Sequence, residues 1–125
     1  MKTYTWEYAI SKNPQNGAWE QEVFRTLYTV ILKLTNDLAI EAGSGTDPKL
    51  PKSLTASPAV VCALESLEQF RINEVINMDK DVHAVGHMGK LEVYRDLLAT
   101  EDYVIINAFG KQGKIKVNGL ANAGI

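Results

Sequence analysis

Two histidines four residues apart, His83 and His87, have the spacing in this chain that most resembles a metal site, and Asp79 and Asp81 stand just before them. On a helix an i, i+4 pair shares one face and can hold zinc. The surrounding residues VHAVG are β-like, however, and Gly86 and Gly89 are poor helix formers. On a strand the two rings share a face but lie apart, with too few ligands in view. The pair therefore reads as two partly exposed histidines at a strand edge, and no metal is expected.

A second cluster lies in GKLEVYRDLLATEDYVIINAFGK, residues 89–111, where Asp96, Glu101 and Asp102 could be imagined as a general acid and base. Glu101 and Asp102 are adjacent, so on a strand they point to opposite sides. These carboxylates read as turn formers and strand caps, with Asp96 marking the turn between two strands. Cys62 lies in the apolar helical context VVCALESL, where a free cysteine acts as a small buried hydrophobe. No GxSxG elbow and no Gly-rich dinucleotide fingerprint is present. The residues assemble no catalytic set and call for no cofactor, so the chain reads as a non-enzyme. A small metal-dependent enzyme built on His83, His87, Asp79 and Asp81 stands as the alternative.

The bulk properties agree with a single ordinary domain. At 125 residues the chain is long enough to bury a core unaided. Its net charge of −2 gives no drive toward nucleic acid or an anionic membrane. Lys111, Lys114 and Lys116 form the one sparse basic set, read as a solvated strand face. One cysteine allows no intrachain disulfide and fits a reducing compartment. No apolar stretch approaches the roughly 20 residues that span a bilayer, and MKTYTWEYAI lacks a signal peptide's apolar core. The expectation is a soluble protein, intracellular when made.

The elements that must position these residues follow from periodicity. TYTWEYAI, residues 3–10, alternates with Tyr4, Trp6, Tyr8 and Ile10 on one face, which predicts a strand. That aromatic face suggests core or a protein interface, and a partner-binding adaptor is a further alternative. From Ala18 to Ala42 the apolar residues Val23, Phe24, Leu27, Ile31, Leu34 and Leu38 make a helical stripe, with Asn16 as N-cap and Gly43 as stop. Residues 43–53, GSGTDPKLPKS, lack the spacing of a phosphate-cradling loop and read as a surface loop. Ser57 caps and Pro58 opens a second helix running to about Phe70, burying Val60, Val61, Leu64 and Leu67. Short strand-like runs follow: INEVI, VHAV, KLEVY, DYVIINAF and GKIKV. Strand, long helix, short helix and then several strands define an α+β domain, with two helices on a mostly antiparallel sheet.

Three segments together resemble one family. AWEQEVFRTLYTVILKLTNDLA is similar to the long helix of T-even-type tailed-phage major capsid proteins. SLTASPAVVCALESLE looks like their next segment, a short strand running into a capped helix. GKLEVYRD, a short connection and DY resemble a third run, matching at Gly89, Val93, Tyr94, Asp96, Asp102, Tyr103 and later Gly110. Asn107 stands where the family usually has a glycine after the second strand. The ordered matches cover residues 18–110, while residues 1–16 match nothing in that pattern, and residues 1–125 read as one compact domain.

The resemblance implies the Hong Kong 97-type coat fold, specifically its axial domain and part of its peripheral domain. It implies a virion structural protein that associates with copies of itself as hexamers and pentamers around DNA, from the host cytoplasm before assembly. Scaffold or other head proteins are further partners, DNA contact is at most weak and nonspecific, and no membrane is involved. On this reading function lies in surfaces, and loops carry variable contacts on a rigid scaffold. Asp47, Lys49 and Lys52 in the first loop, and Asp96 and Glu101 in the acidic connection, are the expected subunit contacts.

Overall fold

A computed structural model describes residues 1–8, 18–45, 51–75 and 81–120. In chain order its elements are β1 (Lys2–Glu7), α1 (Ala18–Ala42), β2 (Ser53–Ala56), α2 (Pro58–Glu65), β3 (Phe70–Val75), β4 (Val82–Met88), β5 (Leu91–Asp96), β6 (Tyr103–Ala108) and β7 (Lys111–Asn118). The strands form one seven-stranded sheet in the order β1-β7-β6-β2-β5-β4-β3. Two neighbouring pairs, β1–β7 and β2–β5, are parallel, and the other four are antiparallel. The α+β class and the mostly antiparallel sheet are as the sequence predicts. No helix among the described residues is long and apolar enough to cross a membrane.

The long helix lies on the sheet through its predicted stripe. Phe24, Leu27, Ile31, Leu34 and Leu38 are buried, and Val23 packs half-buried at the margin. Each such side chain contributes roughly 1.5–3 kcal/mol relative to exposure. Close approach depends on Gly113 of β7, where an added Cβ would lie 2.6 Å from Leu34 Cδ1. Gly43 ends α1 as expected: at φ +76 its N–H donates to Ala39 O at 3.2 Å, closing the final turn. The Asn16 cap lies outside the described residues.

The aromatic strand is core rather than a face for partners. Trp6 and Tyr8 are buried, with ring centroids 6.3 Å apart, and Tyr8 packs 6.0 Å from Phe24. Trp6 Nε1 donates to Thr26 Oγ1 at 2.8 Å, and the Tyr4 hydroxyl donates to Asp37. Of the two readings of this face, core holds and the adaptor surface is corrected, because α1 already covers it. Ile10 lies outside the described residues.

The second helix is shorter than its periodicity suggests, ending at Glu65 rather than near Phe70. The Ser66 and Leu67 N–H groups reach back three residues, to Ala63 O and Leu64 O, and tighten the chain out of the α-helix. Phe70 then opens β3 opposite Met88. Val60, Val61, Leu64 and Leu67 are buried as predicted. Cys62 falls on the outer side of this short helix and is exposed, which corrects its reading as a buried hydrophobe.

Candidate functional site

Sheet order decides what the acidic connection does. β5 and β6 are consecutive in the chain, yet β2 lies between them, parallel to β5 and antiparallel to β6. Residues 97–102 therefore bridge the end of β2 instead of turning a hairpin between neighbours. Asp96 begins that bridge: its Oδ1 accepts the Leu98 N–H at 3.0 Å and its Oδ2 accepts the Tyr103 hydroxyl at 2.5 Å. Asp102 Oδ1 accepts the Ser57 hydroxyl at 2.9 Å, and the Ser57 N–H donates to Tyr103 O at 3.3 Å. Ser57 occupies the N-cap position of α2 but makes no side-chain cap bond. Its hydroxyl is spent on the crossing loop, which corrects the capping role expected of it.

Glu101 and Asp102 diverge as strand geometry requires. Asp102 turns to Ser57, whereas Glu101 lies outside and pairs with Lys114 Nζ at 3.1 Å. Lys114 also sits 5.7 Å from the centre of the Tyr103 ring. Tyr103 ionises late: its hydroxyl is pushed up to about 12 by burial first, then by the hydrogen bond to Asp96 and the charges of Asp96 and Glu101. All three carboxylates hold donors within the chain, which is how an anchored loop is built.

The histidines do not share a face. The β4 register shifts between Ala84 and Gly86, and this irregularity reverses the alternation. His83 is buried opposite Arg95, while His87 is exposed opposite Glu92 and Arg71. β4 lies between β3 and β5, so the pair is not at a sheet edge as expected. Asp81 is exposed, and Asp79 lies outside the described residues. Among the described residues no group of three or more His, Cys, Asp or Glu is placed to hold a metal ion.

At the other end of β5 and β6 the chain forms a pocket of about 300 Å³ between α1 and two hairpin turns. Tyr28 and Leu32 form one wall, Met88 and Leu91 the floor, and Phe109 the far side, with Lys52 and Lys90 also lining it. Phe109 and Gly110 make the two-residue β6–β7 turn, with φ of 56 and 72. Both central residues of this turn type need positive φ, a conformation unusual for a bulky side chain. Lys52 Nζ stands 4.7 Å from the Phe109 ring centre and holds that ring in place. Of the five expected contact residues, Lys52 lies at this end, Asp96 and Glu101 lie at the other, and Asp47 and Lys49 fall outside the described residues. The sequence reading passed over Leu97 and Leu98, although two aliphatic residues inside a polar connection break the usual pattern of a loop.

An anchored crossing loop, a buried aromatic strand and two separated histidines make this a framework domain among the described residues. The family of major capsid protein Gp23 matches residues 2–117. The chain belongs to that family, structural proteins of the bacteriophage virion. The match takes in β1 and reaches through most of β7, beyond residues 18–110 that carried the resemblance. No curated protein and no solved structure matches the chain.

Proposed function

We propose that this chain builds a phage head shell by associating with copies of itself, as the axial domain and part of the peripheral domain of a Hong Kong 97-type coat fold. The observation that carries this reading is membership of the major capsid family over nearly the whole chain. The α+β core supports it, with its helices gathered on the sheet and its acidic loop braced from within. Lys52 and Glu101 act as charged contacts between copies, together with Asp47 and Lys49. Asp96 acts by shaping the loop, since both its oxygens already accept hydrogen bonds. Scaffold or other head proteins meet the same surfaces during assembly in the host cytoplasm. A net charge of −2 limits DNA contact to weak, nonspecific binding.

Sedimentation velocity with electron microscopy tests this. Metal-free protein is expected to form rings or particles as its concentration rises. A monomer at every concentration overturns the reading, and one equivalent of bound metal in that monomer would favour the metal-dependent enzyme instead.

A further inference from the structure

The crossing loop carries its two most apolar side chains into solvent. Leu97 is 49% exposed and Leu98 67%, beside Val82 at 40%. The backbone beneath them is fixed: Leu97 N–H donates to Asp81 O at 2.8 Å, and Leu98 N–H donates to Asp96 Oδ1 at 3.0 Å. A loop already ordered loses little entropy when it docks. Among the described residues Asp81 and Glu101 are the exposed acids beside this tip. Glu101 is bridged to Lys114 at 3.1 Å, an exposed pair that costs little to share, and Lys116 lies further along, opposite Tyr103.

The pocket at the opposite end has the complementary character. Tyr28, Leu32 and Phe109 give it apolar walls, and its charged lining groups are Lys52 and Lys90. At about 300 Å³ it is at the small end for a ligand site, a size suited to a pair of aliphatic side chains. The tip cannot fill its own pocket, because β5 separates them by six residues, about 20 Å of strand.

We propose that Leu97 and Leu98 of one copy seat in the Tyr28–Leu32–Phe109 pocket of the next, with Glu101 and Asp81 facing Lys90 and Lys52. Two exposed acids beside the apolar tip and two lysines in the receptor's lining select a second copy of this chain as the occupant. The contact is head to tail, since donor and receptor are different surfaces at opposite ends of the same strands. Such a heterologous contact closes into a ring when its rotation divides a full turn. The inference deepens the shell-building reading and rests on it.

Leu98→Lys disables the tip and Leu32→Lys disables the pocket, each at an exposed position. Circular dichroism and melting are expected to match the parent protein for both. In sedimentation velocity each variant is expected to associate more than tenfold more weakly than the parent. A 1:1 mixture is expected to give a heterodimer and nothing larger, because one intact tip meets one intact pocket. Lys90→Glu, on the exposed turn, is expected to weaken association in the same direction. If the parent assembles and the variants assemble equally well, this contact is overturned and the shell-building reading stands. Monomeric variants whose mixture stays monomeric also overturn the contact. A small organic molecule retained in the pocket of the purified monomer, seen by native mass spectrometry, does so as well. A parent that never associates overturns the shell-building reading itself, and the contact falls with it.

Discussion

The Tyr103 hydroxyl and Asp96 Oδ2 lie 2.5 Å apart, joining the first residue of β6 to the last of β5. β2 occupies the sheet between those strands, so this bond spans the crossing loop at its base. With Asp102 on Ser57, it fastens the loop to the start of α2 as well as to the sheet. The carboxylates thus convert a long-range sheet order into a fixed loop shape.

Removing that bond should loosen the loop and leave the sheet in place. Tyr103→Phe keeps the ring and deletes the donor to a carboxylate, a loss of about 1–2 kcal/mol. Denaturant unfolding is expected to show an earlier midpoint with an unchanged slope. Amide exchange should accelerate at Leu98 and leave Ile106 protected, since Ile106 is fully buried in the central sheet.

The same tyrosine makes stability depend on alkaline pH. An unfolded tyrosine ionises near pH 10, whereas Tyr103 in the fold is held up to about 12, first by burial and then by Asp96. Below pH 10 both states carry the proton and the contribution is complete. Between about pH 10 and 12 the unfolded chain loses its proton first, so stability falls as pH rises. Solvent screening leaves about 1 kcal/mol of this effect. Tyr94, raised by burial and by Glu92, and Tyr4, raised by its bond to Asp37, act in the same direction. Urea midpoints across pH 8–12 are expected to fall more steeply for the parent than for Tyr103→Phe.

Trp6 distinguishes core from contact surface on the first strand. It is 6% exposed, and its indole N–H is bonded to Thr26 on α1. Trp6→Ala is expected to cost about 3–5 kcal/mol and to lower the melting temperature sharply. Full folding with lost association would instead make β1 an interface.

Local periodicity made much of this fold legible. The α1 stripe from Phe24 to Leu38 needs only the 3.6-residue repeat, and Gly43 stops it through its own backbone freedom. Sheet order was not legible, because inserting four-residue β2 between β5 and β6 is a pairing of distant segments. That one insertion changed Asp96 from the corner of a hairpin into an anchor, and took Ser57 from its cap. The histidines were misplaced for a local reason: the irregularity at Ala84–Gly86 reverses strand parity, and a glycine inside a strand is its weak signal. At the candidate surfaces, charge was readable in Lys52 and Glu101. The pocket was not, since Tyr28 and Phe109 lie far apart in the chain.

Gly86 should tolerate no side chain. A Cβ there would stand 2.2 Å from the Arg71 carbonyl oxygen and 2.8 Å from the Phe70 ring, so β3 must move away from β4. Gly86→Ala is expected to destabilise by about 1–3 kcal/mol or more. Gly45→Ala, with nothing within 4 Å, serves as the neutral control. Thermal melting of the two variants side by side makes the comparison.

Phe109 sets local strain against surface function. Its φ of 56 in a two-residue turn before Gly110 suits asparagine far better than phenylalanine. Phe109→Asn relieves strain of about 1–3 kcal/mol and gives up a Lys52–ring contact of about 0.5–1 kcal/mol. The variant is therefore expected to be at least as stable as the parent in denaturant unfolding. It also removes one wall of the pocket, so sedimentation velocity should show weaker self-association despite the gain in stability. A ring serving only the core would give the opposite result, with a loss of more than about 2 kcal/mol and association lost only through unfolding. Better folding with poorer association identifies Phe109 as a residue retained for the contact it offers a neighbour.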